Sequence, residues 1–558
     1  MGRKISIAAV AIALIGQVGF CILAWRPAIA PLERSPDPAS FSAESIAKGE
    51  ILSAEGHCVS CHIRPGGQPL AGGYGVNTPF GVIYGTNITP DTQTGIGRWS
   101  LPAFTRAMRE GVSRDGHHLY AAFPYTAFTE LSDDDINALY AYLMTRTPVS
   151  ATIPPNTVPF PLNIRLLEIH TGNQWQTLIL PVLAKALELS QDKIVMRSYL
   201  LGGGFGRRLD GDYAIPAALA AKAVGKPVKM VCTREDDMRF DCPRSPAVQV
   251  LRMGFADGGH VIAMDHHAAA GWPTKTMAPS FMAKGENGFA FDPFASHGAD
   301  HWYTVGAHRV RVIDNDLAQR TFRPGWLRSV GGGWLYWALE SFMDEAAHEL
   351  RVDPVSFRLR LLDGAGRNAG SAPDSVGGAK RQAAVLSRVA QKAGWGSVMP
   401  NDVGLGVASS FGQERDMPTW CACVARVRVD RANGQIIVEK LTLVVDAGTI
   451  IQPDGAAAQV EGSALWGLSM DLYEGTEFVM GQPKDTNLDT YSLLRMGNVP
   501  EVEIEFMPST EAPMGLGEPA TAVIAPAIGN AIFAATGARL RHLPMRPENI
   551  RQALARRS

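Results

Sequence analysis

Cysteine is scarce: seven in 558 residues cannot make the disulfide framework of a small secreted domain. Outside one close pair the cysteines are Cys21, Cys232, Cys242, Cys421 and Cys423, with no second Cys/His pair at zinc-ligand spacing. Nor do they make a set that could hold an iron–sulfur cluster. Excess charge is missing too. The formal net charge is −2, without a long Lys/Arg run, which argues against nucleic acid as a partner. Glycine and proline are plentiful, 57 and 37 residues, so turns are many and a mixed α and β chain is expected. With 46% hydrophobic and 19% charged residues the composition is globular, and the length allows roughly three or four domains.

The close pair is Cys58-Val59-Ser60-Cys61-His62. Two thiols at this spacing can add to the two vinyl groups of a haem, and His62 then reaches the iron as proximal ligand. A chance CxxC or a zinc half-site is the rival reading, and zinc would want a second pair. One covalent haem c on Cys58 and Cys61 is therefore expected. In bacteria such attachment happens outside the cytoplasm, and the N-terminus agrees. Met1-Gly2-Arg3-Lys4 precedes an almost uncharged stretch from Ile5 to Trp25, and about 20 apolar residues suffice to cross a bilayer. Residues 1–30 read as an uncleaved inner-membrane anchor that leaves the bulk of the chain in the periplasm. A cleavable signal peptide is the alternative: Ala28-Ile29-Ala30 resembles a cleavage site, although Pro31 follows it directly.

Residues 40–147 read as one small domain. Ser42 is a plausible N-cap for a helix leading to Gly49 and the haem motif. A polar, Gly-rich middle follows, including Gly85-Thr86-Asn87-Ile88-Thr89-Pro90-Asp91. Ser132-Asp133-Asp134-Asp135 then caps a helix over 136–145 with apolar residues at 136, 139, 140 and 143. Helix, haem motif, loops and closing helix make a small all-α class I cytochrome c. The motif order, the Gly85–Asp91 string and Leu139-Tyr140-Ala141-Tyr142-Leu143 resemble the haem domains in cytochrome subunits of bacterial membrane alcohol and aldehyde dehydrogenases. That resemblance implies a sixth iron ligand, often methionine, from the loop before the closing helix. Here Phe123 and Leu131 hold the places where methionine is expected. His117 and His118 are candidates, or simply exposed loop histidines, while Met108 and Met144 suit the helix core. A histidine ligand would lower the reduction potential relative to His/Met.

From 148 to 165 the chain is a Pro-rich, nearly uncharged linker with Pro148, Pro154, Pro155, Pro159 and Pro161. The string Pro159 to Arg165 is similar to one that runs on towards a second haem domain in multi-haem cytochrome subunits. Here Leu166-Leu167-Glu168-Ile169-His170 follows abruptly and belongs to another pattern. The junction near Arg165 looks like two adjacent genes joined by a deletion.

Beyond it, helical and strand patterns alternate. A helix is expected over 178–189 and a strand over 194–200, running into Gly202-Gly203-Gly204-Phe205-Gly206-Arg207-Arg208. Glycines after a strand let backbone approach a ligand and aim N–H groups at an anion, and two arginines suit phosphate. No Gly-Lys-Ser/Thr follows, so this is not a P-loop, and the spacing is not that of a dinucleotide fold. A second Gly-rich place is Arg328 to Gly333, ahead of a helix over 334–350 carrying Glu340, Asp344 and Glu345. A third is Gly515-Leu516-Gly517-Glu518-Pro519, before the apolar stretch 523–540. Glu518, between glycine and proline, is a candidate general base, with a solvated loop glutamate as the plain alternative.

In order, these strings, with Asp446-Ala447-Gly448 and Gln459-Val460-Glu461-Gly462, resemble the molybdopterin-binding subunit of the xanthine dehydrogenase family. The nearest likeness is to the bacterial isoquinoline 1-oxidoreductase and aldehyde dehydrogenase type. The resemblance implies α+β molybdopterin-binding domains over 166–400 and 401–558, the first incomplete at its N-terminal side. It makes Glu518 the base that takes a proton at the molybdenum centre, and places Gln174 near the metal's apical oxygen. Gly203, Gly204, Phe205 and Gly206 become the loop under the metal. Arg328 and Gly331 to Gly333, Gly332 among them, hold the pterin side, and Gln459 a polar pterin edge. The pterin of this group usually carries a cytosine dinucleotide, whose phosphates Arg207 and Arg208 could meet. The pterin dithiolene holds the molybdenum, so the metal needs no protein ligand, and Cys421 and Cys423 become buried strand residues. Nothing between Arg165 and Gln174 supplies the region with which such subunits begin. Apolar surface would then be exposed unless another chain covers it.

The whole reads as a multidomain, membrane-anchored periplasmic molybdenum oxidoreductase. An aldehyde or N-heteroaromatic substrate is hydroxylated, and electrons pass through a separate small [2Fe–2S] subunit and this haem to quinone or a terminal oxidase. The alternative is a monohaem electron-transfer cytochrome whose C-terminal part is a catalytically inactive remnant.

Overall fold

The computed structural model describes residues 26–78, 81–117, 119, 128–155, 167–285, 287–365, 378–412 and 418–556. Two units divide the chain: Met1–Gly202 with Gly211–Val228, and Gly203–Asp210 with Lys229–Ser558. Most of the expected anchor lies outside the described residues. Just after it, Ile29 N–H bonds to Arg114 O at 2.8 Å and Leu32 N–H to Arg98 O at 2.9 Å, so residues 26–35 run along the haem-motif domain without forming a helix.

In the first unit, Ser42 Oγ accepts the Ser45 N–H at 3.1 Å and starts α1 (Ala43–Glu55), as expected of an N-cap. One helical turn, α2 (Cys58–Cys61), carries the haem motif. The hairpin β1 (Gly75–Thr78) and β2 (Gly81–Tyr84) follows, then α3 (Leu101–Glu110) and α4 (Asp133–Met144). Ser132 and Asp135 close a reciprocal capping box at the start of α4. α1 and α4 cross at Gly49, where a Cβ would stand 2.0 Å from Ala138 O; only hydrogen fits. Ile136, Leu139, Tyr140 and Leu143 are buried with Phe104, Met108 and Met144. Burying each large apolar side chain contributes about 1.5–3 kcal/mol. The domain is not purely α-helical. Val76, Val82, Ile83 and Tyr84 are strand formers, and they pair antiparallel where a polar loop was expected.

The same unit holds β3 (Leu167–Thr171), α5 (Gln176–Leu187), β4 (Ile194–Ser198) and α6 (Ala214–Val224). β3 and β4 pair in parallel, with α5 as the crossover. α5 ends at 187 rather than 189 because Glu188 turns left-handed, φ 54°. β4 stops at Ser198, whose Oγ donates to Asn173 O at 2.9 Å, and Leu200 beyond it is 82% exposed.

The second unit has the α+β character expected. β5 (Ala247–Phe255) and β6 (Val261–Ala270) are antiparallel, and β7 (Ala307–Asp314) joins β6 in parallel. α7 (Gly332–Glu349) and α8 (Gly378–Lys392) precede a four-stranded sheet in the order β8 (Val403–Gly412), β9 (Thr419–Val429), β10 (Ile436–Asp446), β11 (Glu501–Phe506). α9 (Pro453–Leu472) links β10 towards β11, and α10 (Pro519–Thr536) closes the core. A Cβ on Gly404 would lie 2.2 Å from Ala531 O, and one on Gly406 2.1 Å from Ala531 N. These alternate glycines of β8 let α10 lie directly on the sheet. α10 is long and apolar enough to cross a membrane, but it is a core helix, with Val523, Ile524, Ile528 and Ile532 fully buried. Cys421 and Cys423 are buried in β9 as expected. The acidic residues of α7 are structural: Glu340 Oε2 meets Arg358 Nε at 2.9 Å, and Asp344 meets Arg539 at 2.5 Å.

Candidate functional site

The haem-motif site is built on α2. Cys58 and Cys61 stand three residues apart on one turn, so both thiols leave the same side of the helix. His62 caps that turn, its N–H 3.1 Å from the Cys58 and Val59 carbonyls. Its Nδ1 lies 2.5 Å from Thr86 O. A carbonyl only accepts, so the proton sits on Nδ1 and Nε2 keeps its lone pair for a metal. Burial pushes the His62 imidazole below its usual range, against the smaller opposing effect of the Thr86 bond, and this favours the neutral form.

Thr86 belongs to the Gly85–Asp91 string, whose polar side chains hold the loop itself. Buried Asn87 donates to Val149 O at 2.7 Å, and its Oδ1 accepts from Thr89 N–H at 2.9 Å. Hydrogen bonds from Thr94 hold the Asp91 carboxyl below its ordinary range. Paired thiols on one turn, a fixed imidazole tautomer and the apolar cluster that takes in Cys58, Leu70 and Ile88 all suit a haem. Of the candidates for the opposite face of the iron, His117 is exposed, its Nδ1 2.6 Å from Asp115 and 2.9 Å from Ser113 Oγ. Met108 and Met144 are core residues, as expected, and Leu131 is half-buried. His118 and Phe123 lie outside the described residues.

In the second unit, four segments that are far apart in sequence converge on Glu518, the N-cap of α10. Ser329 N–H donates to Glu518 Oε1 at 3.1 Å, and Ser329 Oγ donates to the Glu518 carbonyl at 2.8 Å. Gly517 O accepts from Arg328 Nε and from Ser463 Oγ, the latter at 3.1 Å. Arg328 is buried, and burial pushes its guanidinium down while Glu518 pulls it back up. Its guanidinium carbon lies 5.5 Å from the Phe205 ring and 5.8 Å from that of Trp466. Those rings meet edge to face with centroids 4.6 Å apart.

Phe205 is itself left-handed, φ 50°, and its carbonyl accepts the Arg328 N–H at 3.1 Å. Next to it Gly206 has φ 101°, and a Cβ there would fall 1.5 Å from Trp326 O, so the position admits only glycine. Gly203 and Gly204 lead into this turn, with Arg207 N–H returning to Gly204 O at 2.8 Å. Arg207 is gripped by Asp241 at 2.5 Å and Asp210 at 3.4 Å. Gln459 is exposed on α9, one turn before Ser463 and two before Trp466, so the three share a helix face. Gly332 opens α7, packed against His297 and Tyr336. Gln174 lies in the first unit, exposed in the turn after β3 that Asn173 builds with Trp175 and Ser198.

Ser463, Trp466 and Arg244 belong to none of the sequence motifs, and Ser329 enters them only as a member of the Arg328–Gly333 string. Trp466 was the one with a signal, standing at helical spacing from Gln459. Arg244 donates to Val330 O at 2.5 Å and Arg328 O at 2.6 Å. Burial pushes its guanidinium down to about 10, with Asp471 and Glu518 opposing that.

Comparison with known proteins identifies the domains in which these residues lie. Residues 46–147 match the cytochrome c family, and residues 163–362 and 345–500 match the two molybdopterin cofactor-binding domains. The chain is a fusion of a cytochrome c domain with molybdopterin cofactor-binding domains. It is 61% identical over 389 residues to the membrane-bound aldehyde dehydrogenase [pyrroloquinoline-quinone] of Gluconacetobacter polyoxogenes, covering 69% of this chain and 50% of that protein. It is 31% identical over 382 residues to the isoquinoline 1-oxidoreductase subunit beta of Brevundimonas diminuta, covering 68% and 46%. The chain thus spans about half the length of these relatives. The aldehyde oxidoreductase of Desulfovibrio gigas shares the fold, with a TM-score of 0.56 at 17% identity, over 70% of this chain and 58% of that one.

Proposed function

We propose that the chain is the catalytic and electron-exit part of a molybdenum-dependent oxidoreductase that oxidises an aldehyde, or hydroxylates an N-heteroaromatic, and sends the electrons to a covalent haem c. The observation that carries the reading is the meeting of Phe205, Arg328, Ser329, Ser463 and Trp466 around the Gly517-Glu518 backbone. A glutamate pinned by one backbone N–H, beside a buried arginine and an aromatic wall, is a positioned proton acceptor. The names of the relatives, an aldehyde dehydrogenase and an isoquinoline oxidoreductase, fit both substrate classes, and the 61% identity favours the aldehyde.

When bound, molybdopterin supplies oxygen-transfer and two-electron chemistry. The chain's residues do the rest. Glu518 takes the proton, while Arg328 and Ser463 hold the Gly517 carbonyl and so the carboxylate's origin. Phe205 and Trp466 line one side, edge to face, beside the Arg328 guanidinium. The turn Gly203–Gly206, Gly332 and Gln459 would hold the pterin. Arg207, although paired with Asp210 and Asp241, and Arg208 would face the phosphates of a cytosine dinucleotide. In the other unit Cys58 and Cys61 would anchor a single haem and His62 Nε2 would ligate its iron.

A separate [2Fe–2S] subunit fits the cysteine inventory, because the residues beyond Cys58 and Cys61 offer no cluster set. Quinone or a terminal oxidase is the onward acceptor, and the apolar segment from Ile5 to Trp25 anchors the chain in the inner membrane with its bulk in the periplasm. The test is molybdenum, iron and cytosine nucleotide content of the membrane-extracted protein, with aldehyde-dependent dye reduction. Haem iron without molybdenum would leave the electron-transfer cytochrome as the better reading.

A further inference from the structure

Two guanidinium nitrogens of Arg244 end on the turn that faces Glu518. Nη1 donates to Val330 O at 2.5 Å and Nη2 to Arg328 O at 2.6 Å, so one planar group spans the carbonyls on either side of Ser329. Ser329 and Val330 are both left-handed, φ 71° and 38°, a conformation that a β-branched valine adopts only under constraint. The turn's reward is local: the Ser329 N–H reaches Glu518 Oε1 at 3.1 Å. Gly333 makes room for the arginine, since a Cβ there would lie 2.2 Å from Arg244 Nη1. The last glycine of Gly331 to Gly333 is thus explained by the guanidinium under it.

We infer that Arg244 is a positioning residue: its two-carbonyl clamp holds the Ser329–Val330 turn so that Ser329 orients the Glu518 carboxylate. The inference rests on Glu518 being the base. The full membrane-extracted protein is compared with its R244Q and R244K variants. In R244Q, amide hydrogen exchange over 328–331 should accelerate roughly 10- to 100-fold, the effect of losing charged hydrogen bonds, while exchange in β9 and β10 stays unchanged. With aldehyde, kcat should fall at least about tenfold with KM within about twofold, as expected of misplaced chemistry and intact binding. R244K, whose ammonium serves one carbonyl well, should fall between, and it carries the test if R244Q does not fold.

Unchanged exchange over 328–331 would overturn the clamp. Faster exchange with kcat unchanged, or a raised KM alone, would make the contact purely structural and overturn the positioning role. If the wild-type chain holds no molybdenum and turns over no aldehyde, the functional reading fails on its own, and the positioning role fails with it whatever the exchange shows.

Discussion

The Glu518 carboxylate meets the Ser329 backbone N–H, and that decides how it should be tested. Its Oε1 receives the Ser329 N–H, and a glutamine keeps an oxygen in that place. E518Q should therefore retain its molybdenum content while kcat drops about 10²- to 10⁴-fold, the usual worth of a general base. Metal analysis beside steady-state kinetics checks this, and loss of metal together with rate would assign Glu518 to cofactor binding instead. A second residue-scale expectation concerns histidines remote from the site. His266 and His301 are buried, and the His301 and His308 rings lie 4.5 Å apart. Burial pushes all three down, His266 to about 3. A histidine whose folded pKa lies below its unfolded value of ~6.5 leaves the unfolded chain holding more protons at acid pH. The stability is whole above about 6.5 and drains as pH falls towards 3, on the order of a few kcal/mol. Urea midpoints at pH 7.5 and 5 measure it. A midpoint that does not move, or that moves equally in His301→Phe, would refute the assignment.

Elements were legible in the sequence where the signal is local. Ser42 and Ser132 cap their helices as their side chains imply, and the 136, 139, 140, 143 pattern is the buried stripe of α4. The hairpin at 75–84 was not read, because its glycines and proline mask a short run of strand formers. For the site, local signals marked each glycine-rich string, but contacts between residues more than a hundred positions apart leave no periodicity. Only the ordered resemblance joined Phe205 to Glu518, and Arg244, in Cys242-Pro243-Arg244-Ser245, had neither motif nor spacing to reveal it. Packing of α10 on β8 shows how an element carries the site. G406A drives a methyl into the Ala531 and Ala527 backbone, so α10 must lift from the sheet. The variant should lose roughly 1–3 kcal/mol by overpacking and lose kcat, because Glu518 caps the displaced helix. Denaturant melts with steady-state kinetics test both; unchanged kcat in a destabilised protein would separate helix seating from the site.

At the scale of the whole molecule, the proposed reaction sets an electron count that can be titrated. Oxidising an aldehyde with water to a carboxylic acid releases two electrons and two protons, whereas a single haem on Cys58, Cys61 and His62 accepts one electron. Cys421 and Cys423 are buried in β9, and Cys232 and Cys242 add no fourfold set among the described residues, so in the proposed reading the two electrons leave one at a time, with a separate small iron–sulfur subunit as the expected carrier ahead of the haem. An anaerobic titration in membranes that also hold the small iron–sulfur subunit should therefore reduce the haem fully with about half an equivalent of aldehyde per electron-accepting site, following the haem absorption bands. The purified chain without that subunit should show much slower haem reduction at the same aldehyde concentration. C58S with C61S should abolish the haem signal yet leave dye-linked aldehyde oxidation in the presence of the small subunit, since those thiols belong to the exit and not to the Glu518 site. Equal haem reduction with and without the subunit would remove the need for a separate carrier, and aldehyde oxidation lost together with the haem would mean that the two sites are not separable in this way.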